Sequence, residues 1–132
     1  AVAEAEKTEK ITINVGIVDL GQIDLLVREG FYANRTDFIR TAIRNQLTAS
    51  GEAINKTVAR RTLTLGTVHY TRRALEELRA AGRTVDIRVL GIASIGGDVS
   101  PELALSTITS VEVLGAFRAS PAVKAALAVR TV

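Results

Sequence analysis

The chain has 132 residues, 47% of them apolar, with a net charge of +3, no cysteine and one histidine. That length suits one ordinary domain or two very small ones. Without cysteine there are no disulfides, thiolate chemistry or Cys-based metal sites, one histidine rules out His-based metal clusters, and no apolar run is long enough to span a bilayer. The basic excess lies in the middle, where residues 51–85 carry seven Lys and Arg against three acidic residues. This is compatible with phosphate contact, but an ordinary solvated surface is the favoured reading.

In chain order, residues 1–9 alternate Glu and Lys with small residues. They read as a flexible arm rather than a secretory leader, and a cytoplasmic setting in a bacterial or archaeal cell is the expectation. Lys10-Ile11-Thr12-Ile13-Asn14-Val15 alternates polar and apolar with period two, which predicts a strand with one wet face. Ile11, Ile13 and Val15 are expected to face a core. Lys10, Thr12 and Asn14 would face outward, and all three side-chain types can hydrogen-bond to base edges.

Asp19 is the expected cap of a helix running to about Glu29, with Leu20, Ile23, Leu26 and Val27 on one stripe. Gly30 suits the left-handed position past a helix end. Asn34-Arg35-Thr36-Asp37 has the form of a capping box. It opens a second helix with Phe38, Ile39, Ala42, Ile43 and Leu47 at helical spacing, ended by Gly51. The free amides at the start of that helix make a natural phosphate site. A strand and two helices in about 40 residues bury too little core to stand alone, and a lone strand leaves its backbone unpaired. Two chains pairing their strands antiparallel and interlocking four helices solve both problems, and such a two-stranded ribbon fits the major groove.

Residues 10–50, about a third of the chain, resemble the ribbon-helix-helix superfamily, most closely the CopG-like transcriptional regulators. The residues that carry the likeness are the alternating Lys10–Val15, the turn Gly30-Phe31-Tyr32-Ala33-Asn34-Arg35-Thr36-Asp37, and Phe38-Ile39-Arg40 with Ala42-Ile43-Arg44. The resemblance implies an intertwined dimer on double-stranded DNA. It implies that Lys10, Thr12 and Asn14 read bases and that Asn34, Arg35 and Thr36 contact phosphate. The exposed strand face carries one positive charge, and the chain reads Gly16-Ile17-Val18-Asp19 where many members begin the first helix with Pro.

A short linker, residues 51–59, is expected before a different pattern over 60–132. Thr62 to Val68 reads as a strand, and Thr71 to Ala81 as a helix closed by Gly82. Val85 to Ile95 is the next strand, followed by a helix opened by Ser100-Pro101. Ser110 to Phe117 is a third strand, and Ser120-Pro121 opens a last helix through Ala128. Val89-Leu90-Gly91 recurs as Val113-Leu114-Gly115, whereas Leu65-Gly66 fits only with a slip of one. Strand followed by helix, repeated, predicts parallel strands joined by right-handed crossovers. The expected fold is thus an α+β ribbon-helix-helix unit followed by a small α/β repeat domain with parallel strands. Three helices on one face leave the other face open, and a second copy is the expected cover, closing as an oligomer or extending as a filament.

Gly96-Gly97-Asp98 lacks the glycine spacing and the lysine of nucleotide-binding loops, so it reads as a turn, and a small-molecule effector has little support. His69 stands apart from any nucleophile motif. No catalytic residue, metal ligand or cofactor is expected. The expected function is sequence-specific transcriptional regulation, as a repressor. The alternatives are an antitoxin, whose toxin-wrapping tail would be disordered when free, and a polymer-forming scaffold with secondary DNA binding.

Overall fold

The computed structural model describes residues 8–132, so all but Thr8 and Glu9 of the expected arm lie outside the described residues. These form two compact units, 8–57 and 58–132.

In the first unit, residues 8–16 form neither helix nor strand. Three helices follow: α1 (Ile17–Arg28), α2 (Arg35–Ala49) and α3 (Gly51–Arg61). α1 starts earlier than expected. Gly16 is its N-cap, without a side-chain bond, and Asp19, the expected cap, lies in the first turn, where its charge still complements the helix dipole. Gly30 takes φ +85°, and the Gly30 and Phe31 amides close the helix on Val27 O and Leu26 O at 3.1 and 3.0 Å. The linker expected over residues 51–59 is helical. Ser50 caps α2 through Gln46 O and also accepts from Ile54 N, both at 3.0 Å, so the chain re-enters helix after a single residue. Gly51 stays right-handed, and Glu52–Lys56 pairs at 3.1 Å along the new helix.

The second unit alternates strictly: β1 (Thr64–Tyr70), α4 (Arg72–Ala80), β2 (Val85–Ile95), α5 (Pro101–Thr107), β3 (Ile108–Arg118) and α6 (Pro121–Leu127), then a 3-10 turn. All three strands are parallel, in the order β1-β2-β3. Thr71, Ser100 and Ser120 each accept from the backbone amide three residues on, at 3.1, 3.1 and 3.3 Å, so each strand-to-helix junction uses one device. β1 begins two residues later than expected. Thr62 sits at φ +54°, and the Leu63 amide bonds Val58 O at 3.0 Å, so residues 62–63 terminate α3 instead of opening the strand.

The slip in the repeat is real and has a geometric meaning. Leu90-Gly91 pairs with Leu114-Gly115 at an offset of 24, and Leu65-Gly66 pairs with Leu90-Gly91 at 25. Three glycines therefore stand side by side across the sheet, at φ +125°, +138° and +122°. A Cβ on Gly91 would run into the carbonyl oxygen of Gly66, and one on Gly115 into that of Gly91. Only glycine allows both the dihedral and the approach.

Alternation along β2 sends Ile87, Val89, Ala93 and Ile95 into a core shared with Leu75, Leu103, Val123 and Leu127 of the three helices. All helices thus cover one face. The other face carries Leu65, Leu90 and Leu114 in one paired row, with Leu65 64% and Leu114 47% exposed. Beside that row, Arg61 and Arg88 converge on Glu112. At the sheet edge, Val111 bridges Thr131 and accepts from Val132 N at 2.8 Å, so the chain's end lies along β3.

The glycine row yields a prediction. Gly66→Ala meets open space and should cost only the dihedral strain, about 1–3 kcal/mol. Gly91→Ala should cost about a further 1–3 kcal/mol for the overlap. Urea unfolding of both variants checks the order.

Candidate nucleic-acid interface

The proposed base readers Lys10, Thr12 and Asn14 are all exposed, but so are the residues expected to oppose them: Ile11 is 74%, Ile13 63% and Val15 38% exposed. The two-faced strand expected over Lys10–Val15 is therefore not formed within one chain. The physical reason is that a strand exists only through its ladder, and nothing within residues 8–57 supplies one. α2 follows suit, with no buried residue in 15, although Ile43 and Leu47 are 48% and 55% exposed. Those two side chains, with Thr8, Glu9, Arg40 and Arg44, line an open groove of about 560 Å³. In the whole unit Ile23 alone is classed as buried among the described residues.

At the start of α2 the expected capping box is present with a changed partner. Asn34 Oδ1 accepts from Asp37 N at 2.8 Å, while Asp37 Oδ2 accepts from Ala33 N at 2.9 Å rather than from the cap itself. Tyr32 packs edge-on against Phe38, centroids 5.0 Å apart, which fixes the entry of the chain. The cap engages the Asp37 amide, so Arg35 and Thr36 supply the remaining first-turn amides for an anion.

Of the three expected phosphate contacts, Asn34 and Thr36 are exposed at the helix start, but Arg35 is engaged elsewhere. Its Nε donates to Asp24 Oδ1 at 2.7 Å and its Nη2 to Asp24 Oδ2 at 2.8 Å. No rule of local sequence singles out Asp24. It belongs to no local motif with Arg35, eleven residues away, and only the turn between α1 and α2 brings them together.

The basic middle of the chain is largely engaged as well. Lys56 pairs with Glu52, Arg61 with Glu112, Arg72 with Glu76 and Asp98, and Arg73 with Glu77. Glu52, Glu76 and Glu77 are the stretch's own three acidic residues, so only Glu112 and Asp98, from outside it, offset the excess. His69 lies in β1 with Nδ1 2.6 Å from Ser94 Oγ. Gly96 donates to Tyr70 O at 2.9 Å, and neither Gly96 nor Gly97 has a positive φ. The depression above these strand ends, about 460 Å³, is lined by His69, Arg72 and Asp98. A sheet in sequential order has no topological switch point there to open a ligand crevice.

The family model for ribbon-helix-helix transcriptional regulators matches residues 6–124. The chain belongs to the ribbon-helix-helix transcriptional regulator family. Membership extends through the α/β unit, well beyond the 10–50 segment that carries the likeness in sequence. An uncharacterized protein of Methanocaldococcus jannaschii is 38% identical over 52 residues, 39% of this chain and 52% of that protein. The chain thus spans about half the length of that curated relative. No solved structure matches.

Hydrogen bonds from Arg35 hold the Asp24 carboxyl below its ordinary 3.8. The tie is therefore complete above pH 3.8 and is lost as pH falls through the lower folded-state value. A carboxyl-carbon NMR titration should place the Asp24 inflection below 3.8 in the wild type and return it towards 3.8 in Arg35→Gln.

Proposed function

We propose that this ribbon-helix-helix regulator acts as a dimeric, sequence-specific repressor of the CopG-like kind. Residues 10–15 of two chains pair into a ribbon that enters the major groove. Lys10, Thr12 and Asn14 from both chains meet base edges. The α2 starts, through Asn34, Thr36 and the first-turn amides, hold flanking phosphates and set the register. The observation that carries this reading is the unburied apolar set Ile11, Ile13, Val15, Ile43 and Leu47. Fully burying each such side chain contributes about 1.5–3 kcal/mol, and a second copy supplies both the ladder and the cover. Two-fold symmetry then requires a palindromic or near-palindromic site.

Residues 58–132 act, on this reading, as the self-association domain. The leucine row Leu65-Leu90-Leu114 faces outward on a parallel sheet, which ordinarily has both faces covered. The unit's own buried core speaks against the disordered tail that an antitoxin would carry. The same open face gives the scaffold reading its support.

Selection of bound sites from random DNA should return a two-fold symmetric motif with the wild type. Thr12→Ala combined with Asn14→Ala should lose the motif while keeping salt-sensitive binding, because phosphate contacts remain; an unchanged motif would overturn the ribbon-reading mechanism.

Sedimentation tests the second domain. The full-length wild type should run as a closed assembly larger than a dimer, and Leu65→Glu with Leu114→Glu as a dimer. Open-ended growth of the wild type would favour the scaffold.

A further inference from the structure

Arg35 is the first residue of α2, one position after the cap, beside the amides assigned above to phosphate. Its guanidinium presents two donors in a fixed fork, and a carboxylate and a phosphate offer that fork the same pair of acceptors. Asp24 fills it with both oxygens, at 2.7 and 2.8 Å. Asp24 lies beyond the first turn of α1, so the helix dipole does not account for its charge. The side chains stay half-exposed, Arg35 at 56% and Asp24 at 45%. Water and anions therefore reach the pair, and exchange of partners needs no opening of the fold.

We propose that Asp24 sets the strength of DNA binding by occupying Arg35 as an internal phosphate mimic. The inference rests on the reading of residues 10–36 as a DNA interface. In the free protein each protomer then presents one cation fewer to the duplex. A phosphate approaching Arg35 must displace a carboxylate already seated in the fork, so the exchange returns less than a fresh contact would. Contacts to phosphate serve all sequences alike, whereas contacts from Lys10, Thr12 and Asn14 serve only the right one. Masking Arg35 therefore lowers non-specific binding while leaving base readout in place, and widens the ratio between the two.

A double-mutant cycle with the full chain and a random-sequence duplex tests this, titrated across a range of salt. Asp24→Ala frees two guanidinium groups per dimer. The slope of log K against log salt should steepen by about 1.8, an additional loss of about twelvefold over a fourfold rise in salt. Asp24→Asn, which keeps the side chain's shape, should move the slope in the same direction, and helical melting curves show that each variant is folded. In an Arg35→Gln background Asp24→Ala should leave the slope unchanged. The proposal is overturned if folded Asp24→Ala keeps the wild-type slope, or if it steepens the slope equally in the Arg35→Gln background, which would mark a general charge effect. Absence of any binding by the wild type at low salt would instead overturn the DNA-interface reading itself, and the inference with it.

Discussion

Between residues 8 and 57 only Ile23 is classed as buried among the described residues, while Ile11, Ile13, Ile17, Leu25 and Leu47 are each more than half exposed. Apolar burial is the main force that offsets the conformational entropy of an ordered chain, so this unit depends on cover from outside itself. Its helices already show what local chemistry alone achieves: a glycine exit at Gly30, an Asn34 cap and the Asp24–Arg35 tie. Each of these fixes a boundary. None of them removes much apolar surface from water, and the alternating segment 8–16 stays without a ladder. On the proposed reading, a second chain supplies that cover.

The second unit meets its entropy cost differently. It has a continuous core between the helices and one sheet face, and its repetition reaches down to the backbone. The glycine row shows why the repeat keeps Leu-Gly rather than merely apolar residues. At Gly91 the chain turns to positive φ so closely beneath its neighbour that a single methyl would strike the Gly66 carbonyl. Once one strand makes that excursion, its partner must make it at the same level or lose the ladder. The leucine before each glycine is thereby carried to the uncovered face at one height, which turns three separate side chains into a contiguous row. Sheet geometry thus concentrates the exposed apolar surface instead of scattering it.

Much of this was legible from residue patterns. β2 over Val85–Ile95 and the helix openings at Ser100-Pro101 and Ser120-Pro121 follow from alternation and capping chemistry, and the structure places them where those rules do. The parallel pairing followed from the repeat. What pattern did not reveal has definable causes. Gly51 reads as a stop, but the Ser50 carbonyl starts a new helix, and a hydrogen bond of that kind has no signature in residue type. Leu63 alternates with Leu65 as in a strand, yet the left-handed Thr62 places Leu63 in a helix exit. At the site, Lys10, Asn34 and Thr36 are exposed, but so are most of their neighbours, and the engagement of Arg35 depends on a contact across a turn that no local rule encodes.

Charge is the remaining constraint on how such a protein would hold DNA. Of the seven cations between residues 51 and 85, Lys56, Arg61, Arg72 and Arg73 pair within the chain, and Arg35 is held by Asp24. On the proposed reading, the ribbon itself adds only Lys10 from each protomer, while neutral donors and helix amides provide the rest of the contact surface. Each neutralised phosphate contributes about 0.9 to the salt slope, and strong binders use roughly six to ten of them. A dimer built this way has little sequence-independent attraction to draw on, so its occupancy of a site depends on base contacts and on how many dimers engage together. Joining dimers through the 58–132 units raises the effective concentration of the second reader without adding a single cation. Weak charge in the first unit and an uncovered apolar row in the second are then complementary parts of one arrangement, in which specificity is kept by withholding phosphate contacts and affinity is recovered by number.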